Sequence, residues 1–333
     1  MVATTRKIGD AEVSAIGFGA MGIAMGLPEE ERMKVLDAVY ESGCTHWDTA
    51  DAYGDSEVSI GNWLKKSGKR NEIFLATKFG LAAGIKGRMV CGDPDYVPKA
   101  IDRSLQRLGV DYVDLWYLHR ADSTVPIELT VGAMAEQVKA GKVKYLGLSE
   151  VSASTLRRAH AVHPIAAIQV EYSPFRLDIE HEEIDLLRTA RELGVAVVAF
   201  SPLGQGLLTG RIRSPDDLAK DDPRHMLPRF SKENFPNILK IVEGIESIAK
   251  KHNATAGQVT LAWLLAQGND ILPIPGTTKI SNLQENMASL KVQLAPEEVA
   301  EIRKLAVAAE KTVGPRYPPQ WQALSLGDTP PLK

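Results

Sequence analysis

Short apolar runs alternate along the chain with longer segments whose apolar residues recur every three or four positions. The runs are SAIGFGAM (14–21), CTHWD (44–48), EIFLATK (72–78), VDLWYLH (113–119), KYLGLSE (144–150), AIQVEY (167–172), VAVVAF (195–200) and ILPIPG (271–276). Each is short, rich in Val, Ile, Leu and aromatics, and mostly unbroken rather than alternating. That pattern predicts parallel strands covered on both faces. Between them the helical period shows in 29–40, after Pro28, with Met33, Leu36 and Val39 on one stripe. It shows again after Asp95, a candidate N-cap, where Ile101, Leu105 and Leu108 share a face, and in 184–193 and 238–249. Gly43, Gly109, Gly141 and Gly194 each stand just before a strand, where glycine suits the left-handed residue that ends a helix.

Eight strands alternating with helices fit an open doubly wound sheet or a closed barrel. No linker interrupts the chain, and the eight units predict an α/β fold, a (β/α)8 (TIM) barrel formed by residues 1–333 as one domain. The opening RKIGDAEVS, with its Gly9-Asp10 turn, predicts a short N-terminal β-hairpin. The irregular stretches 208–236 and 310–333, each with several prolines and arginines, are expected as long loops walling a pocket at the carboxyl-end face.

Composition narrows the functional classes. The 333 residues are 44% hydrophobic and 24% charged, with net charge -3. This is globular material with no basic excess for nucleic acid or an anionic membrane, and neither is expected as a partner. No stretch reaches the roughly 18 apolar residues of a membrane span, and the N-terminus lacks the apolar run of a signal peptide. Cys44 and Cys91, the two cysteines, have no metal-ligand spacing, and the seven histidines form no HxH or HExxH, so no metal site is expected. Reduced thiols and a cytoplasmic location are the expectation. Oligomeric state is not legible.

The chemistry of such a barrel lies at the carboxyl ends of its strands. Asp48 ends the second, Lys78 the third and His119 the fourth, and Tyr53 follows Asp48 by one short loop. An Asp at a buried strand end demands a cation, and Lys78 is positioned to supply it. A free tyrosine is a weak acid, with a pKa near 10; a neighbouring ammonium stabilises its phenolate, while Asp48 keeps that ammonium charged. A neutral imidazole at His119 can orient a carbonyl oxygen toward the Tyr53 hydroxyl. Each residue alone reads as a cap, a rim charge or packing; together they describe a proton-donor site for an oxygen gaining negative charge. Trp47, by alternation, should point away from Asp48 into packing.

With these residues stand IGFGAMG (16–22), DTADAYGDSE (48–57), ATKFG (76–80), LHR (118–120), GLSE (147–150), IQVEYSPF (168–175), FSPLGQGLLTG (200–210) and IPGTTKISNLQEN (274–286). Over nearly its whole length the chain resembles the aldo-keto reductases, and LHRAD, PRF (228–230) and RYP (316–318) resemble their microbial and plant branch. The resemblance implies carbonyl reduction, with Asp48, Tyr53, Lys78 and His119 as the catalytic four and Tyr53 as proton donor. It implies NADPH/NADP+ as cofactor and a small-molecule carbonyl as substrate.

No GxGxxG follows the first strand, so a Rossmann site is not indicated. The glycines of SPLGQGLLTG instead suit a loop whose amides cradle a pyrophosphate. The resemblance places the cofactor against Gly19, Ala20, Met21 and Asp48, and gives Ser149, Glu150 and Gln169 the nicotinamide end, though relatives often carry Asn at 150. Phe200 stacks on the nicotinamide, and Ser201, Pro202, Leu203, Gly204, Gln205 and Gly206 follow along the phosphates. Ile274, Gly276, Thr277, Thr278 and Lys279 form the adenosine 2′-phosphate side, where Thr278 replaces an arginine of some relatives; Gln284, Glu285 and Asn286 hold the adenine. Met25, Met89, Arg120, Phe175 and residues of 208–236 are candidates for the substrate pocket. Two rivals remain open at this level: a Schiff-base aldolase using Lys78, and a redox-sensing cofactor-binding module like the potassium-channel β-subunits that resemble this family.

Overall fold

Residues 4–24, 26–81, 87–310 and 315–333 are described by a computed structural model. Met25, one of the pocket candidates, lies outside them. A hairpin of β1 (Thr5–Ile8) and β2 (Ala11–Ser14) comes first, antiparallel, with Ile8 facing Ala11 across a turn at Gly9 and Asp10. Eight parallel strands follow in sequential order: β3 (Phe18–Gly19), β4 (His46–Asp48), β5 (Phe74–Phe79), β6 (Val113–Leu118), β7 (Val143–Ser149), β8 (Ile165–Glu171), β9 (Ala196–Phe200) and β10 (Ile271–Pro273). Backbone bonds from Gly17 to Pro273 (2.9 Å) and from Gly19 to Pro275 (3.4 Å) join the last strand to the first. The predicted (β/α)8 barrel and its hairpin are the observed architecture.

The helices are α1 (Glu29–Glu41), α2 (Ser56–Ser67), α3 (Val97–Leu108), α4 (Ile127–Lys139), α5 (Ala153–Val162), α6 (Leu186–Glu192), α7 (Phe235–Lys251), α8 (Ala256–Leu265), α9 (Ile280–Ala288), α10 (Pro296–Glu310) and α11 (Pro319–Gln322). Gly43, Gly109, Gly141 and Gly194 all have φ between 63° and 79°, the left-handed exits expected of them. Asp95 does not cap α3. The N-cap is Tyr96, without a side-chain cap, and Pro98 in the first turn starts the helix instead. The first strand is also shorter than predicted, two residues rather than 14–21, because Ser14 belongs to the hairpin, paired with Thr5, and the barrel strand begins only at Phe18.

Unbroken strands are explained by two separate cores. Inward residues Phe74, Ala76, Leu115, Tyr117, Ala167, Ala196, Val198 and Leu272 fill the barrel, closed below by Ile8 and Val13 of the hairpin. Outward residues such as Trp47, Leu75, Trp116 and Val197 pack under the helices. Trp47 packs against Trp63 with the rings tilted, centroids 4.6 Å apart, and donates its indole N–H to the Cys44 carbonyl. Within the barrel, size alternates across neighbours. A Cβ on Gly147 would lie 2.4 Å from the Tyr117 ring, so only glycine leaves room for that phenol. By the same period of two, His46 and Asp48, Ala76 and Lys78, Tyr117 and His119 share the inner face.

Candidate active site

Asp48 pairs in register with Ala76, which places Lys78 one inward step further up the adjacent strand. Its Nζ donates to Asp48 Oδ1 at 2.5 Å and to the Thr49 carbonyl at 2.8 Å, with the whole side chain buried. Burial works against the ammonium, but the charges of Asp48 and Tyr53 outweigh it and raise the Lys78 pKa. Asp48 Oδ2 accepts a second bond, 2.7 Å, from Gln169 Nε2. The carboxylate that prompted the search for a cation therefore has both oxygens satisfied.

Tyr53 stands half-buried over this pair. Lys78 Nζ lies 4.9 Å from its ring centroid, and its hydroxyl is 3.5 Å from His119 Nε2. Burial, then the charges of Lys78 and Arg120, hold His119 well below its ordinary pKa, so the imidazole is neutral. Arg120 donates to the His119 carbonyl (2.8 Å) and to Ser149 Oγ (3.2 Å). The four groups named from sequence meet at the ends of three neighbouring strands, and the arrangement can deliver a proton to an anionic oxygen beside a fixed cation.

The loop after β9 has the backbone of an anion nest. Ser201 (φ 47°), Gly204 (56°), Gln205 (57°) and Gly206 (98°) are left-handed, interleaved with Leu203 at φ -102°. Gly19 and Gly276 bring the first and last barrel segments so close that a Cβ on either would lie within 2.7 Å of the opposing backbone. Phe200 ends β9 with its ring partly open. Thr277 Oγ1 accepts the Lys279 amide (3.0 Å) at the start of α9, leaving the Lys279 side chain exposed. Asn286 is buried and Gln284 exposed; Glu285 pairs with Arg211 and accepts from Thr255 Oγ1 at 2.8 Å.

Glu150, at φ 53°, directs its carboxylate to the C-terminal segment: Arg316 donates to Oε2 at 2.7 Å, and the Glu171 amide to Oε1 at 3.1 Å. Arg316 also pairs with Glu171, which Arg229 reaches at 3.1 Å. All four side chains are buried. Burial would raise the Glu171 pKa, but Arg316 and Arg229 outweigh it and hold it low. The Arg316 guanidinium sits 5.0 Å from the Phe200 ring centroid, and that of Arg229 sits 5.6 Å from Phe175. Nearby, Gly327 exchanges backbone bonds with Glu150 and Ser152, stitching the tail beside β7.

Residues 15–307 match the Aldo/keto reductase family. The chain belongs to that family. It is 60% identical over 315 residues to aldo-keto reductase str7 of Strobilurus tenacellus, covering 92% of this chain and 93% of that one. It is 50% identical over 335 residues to aldo-keto reductase yakc [NADP(+)] of Schizosaccharomyces pombe, covering 98% of each. Among solved structures, the glycerol dehydrogenase AKR11B4 from Gluconobacter oxydans superimposes with a TM-score of 0.83 at 27% identity, covering 96% of this chain and 99% of that one. An aldo-keto reductase uses a nicotinamide cofactor, and the protein is an oxidoreductase of carbonyl chemistry.

Within this aldo-keto reductase, the residues not singled out from sequence are Arg229 and Arg316. Their motifs, PRF and RYP, were visible, but a loop arginine's buried partner, 58 positions away for Arg229 and 166 for Arg316, is not. Lys78, fastened by Asp48 and kept protonated, is a poor amine nucleophile, which disfavours an aldolase.

A second buried histidine makes acid stability testable. His46, two residues below Asp48 on the inner face, has neither ring nitrogen partnered among the described residues. Burial, opposed by Asp48 and reinforced by Lys78, holds its pKa down to about 4. The unfolded chain protonates near 6.5, so no penalty exists above that pH. As pH falls from about 6.5 toward 4, the unfolded state gains a proton that the folded state refuses, at a cost of about 3 kcal/mol. Urea unfolding followed from pH 7 to 4.5 should show this loss, and His46→Gln should flatten it. Equal slopes for the two proteins would remove His46 from the acid response.

Proposed function

We propose that the protein reduces aldehydes or ketones to alcohols with NADPH, and that Tyr53 delivers the proton. The observation that carries this is the Tyr53 hydroxyl set beside His119 Nε2, with the Asp48-paired Lys78 ammonium beneath its ring. The left-handed 201–206 loop, the Gly19–Gly276 close approach and the open Phe200 ring fit a nicotinamide dinucleotide. Phe200 would stack on its ring, the nest would take the pyrophosphate, and Thr277 to Lys279 the adenosine phosphate. When bound, the reduced nicotinamide supplies a hydride to a carbonyl carbon.

The chain's own groups handle the oxygen. Neutral His119 orients it; the Tyr53 O–H gives up its proton to it as negative charge develops. Lys78 stabilises the phenolate left behind, and Asp48 with Gln169 keeps Lys78 aimed. Arg120, bonded to Ser149 Oγ and next to His119, would line the substrate side. A panel of aliphatic, aromatic, sugar and pyridoxal-type aldehydes assayed by NADPH consumption tests the reading. Consumption with at least one supports it; none across the panel refutes it.

Cofactor preference is a separate prediction. Lys279 is an exposed ammonium at the opening of α9, and a charge-assisted phosphate contact contributes about 1.5–3 kcal/mol. NADPH should therefore bind roughly ten- to a hundredfold more tightly than NADH. Fluorescence titration of Lys279→Ala should show that ratio shrink. Equal affinities in the unmodified protein would remove the 2′-phosphate assignment.

A further inference from the structure

The loop that carries Tyr53 is bracketed by two acids, Asp51 and Glu57, that take no part in the proton transfer. Both side chains are buried, that of Glu57 completely. Both meet arginines of α3, outside the barrel. Arg103 donates to Asp51 Oδ2 at 2.7 Å and to the Tyr96 hydroxyl at 2.8 Å. Arg107 lies 3.3 Å from Glu57 Oε2, reaches the Asp51 carbonyl at 3.4 Å, and donates to the Gly54 carbonyl. Residues 51, 54 and 57 are thus gripped by one guanidinium, with Tyr53 inside the grip.

The grip is tied to the site at its other end. Glu57 Oε1 accepts from Thr77 Oγ1 at 2.7 Å, next to Lys78, and the Asp51 amide donates to the Lys78 carbonyl at 3.0 Å. Helix α3 is held in place because α2 crosses it at Gly61. A Cβ there would lie 2.6 Å from the Leu108 carbonyl oxygen and 2.8 Å from that of Arg107. Burial, then the charge of Glu57, push the Asp51 carboxyl up to about 6 against Arg103 and Arg107, and its Oδ1 has no partner among the described residues. A carboxylate kept at such a cost is poor material for stability alone.

We propose that Arg107, assisted by Arg103, is a positioning residue for Tyr53: the two guanidiniums fasten the 51–57 loop from outside the barrel and hold the phenol at its distance from His119. The proposal rests on Tyr53 as proton donor. Small misplacements of a reacting group cost about a hundredfold in rate. Arg107→Met should therefore lower kcat by roughly ten- to a hundredfold, with carbonyl KM and NADPH affinity held within about twofold. Arg107→Lys should recover part of kcat, since an ammonium can meet Glu57 but cannot also fork to the Gly54 and Asp51 carbonyls.

Two further readouts separate positioning from a packing role. The double variant Arg107→Met/Tyr53→Phe should be no more than about threefold slower than Tyr53→Phe, because both lesions act on one proton. In cofactor-free Arg107→Met, the Asp51, Tyr53 and Ser56 amides should exchange at least about tenfold faster, with β4, β5 and β6 protection unchanged. Retained kcat, losses that multiply in the double variant, or exchange raised throughout the barrel overturn the proposal. If the unmodified protein reduces no carbonyl, the reaction assignment falls, and the exchange experiment alone decides the clamp: unchanged protection at 51–56 rejects it.

Discussion

Turnover of an unactivated aldehyde should fall by about a hundredfold or more in Tyr53→Phe, the usual scale for loss of a general acid. The substitution removes one hydroxyl and keeps the ring, so the T-shaped contact with His119, centroids 5.6 Å apart, survives. Lys78 keeps both bonds, to Asp48 and to the Thr49 carbonyl. NADPH affinity should barely change, because the groups that fit the dinucleotide lie on the 201–206 loop, Phe200 and the start of α9. The loss should therefore appear in kcat and kcat/KM together, the pattern of an interaction made only in the transition state. Near-normal turnover would mean that the proton comes from another group, and the mechanism would be wrong.

How much of this was legible depended on sequence distance and on period. The barrel was readable because each strand is a short unbroken apolar run, and helices end on glycines with nothing else to recommend them. Asp48, Lys78 and His119 were readable because a strand's last inward residue is fixed by alternation. Asp95 misled because capping preference is a local rule, and Pro98 with Tyr96 sets that helix start instead. Glu150 shows the deeper limit. Resemblance placed it at the nicotinamide end but gave no sign of the partner its carboxylate takes, Arg316, 166 positions away. Asp51 and Glu57 carry no such local rule, since the arginines that meet them lie on α3, around fifty residues on.

The buried ions share one logic. Glu150 and Glu171, at the ends of adjacent strands, receive Arg316 from the tail and Arg229 from the long loop. Stretches 208–236 and 310–333 were expected to wall a pocket, and each sends one arginine to Glu171, with Arg316 also reaching Glu150. Exposed ion pairs hold a loop weakly, but charges removed from water must stay paired, since separating them leaves an uncompensated buried ion. The barrel mouth thereby fixes the two segments that frame Phe200 and Phe175, with geometry set by strands rather than by the loops themselves.

Lys78→Met tests that logic where it touches the chemistry. Methionine nearly matches the lysine in length and keeps the buried stem packed, so little cavity forms. What disappears is the ammonium, and two separate losses should follow. Turnover should drop by about a hundredfold or more, because the phenolate formed at Tyr53 loses its stabilising charge. Stability should drop by about 3 kcal/mol or more, because Asp48 stays buried with Gln169 as its one remaining side-chain donor among the described residues. A compensating change separates the two. Asp48→Asn in the Lys78→Met background removes the unpaired charge and should restore most of the stability while leaving turnover low, which urea unfolding and NADPH consumption measure independently. If the double variant is instead less stable than Lys78→Met by the full cost of a second lesion, Asp48 and Lys78 are not the coupled pair described here.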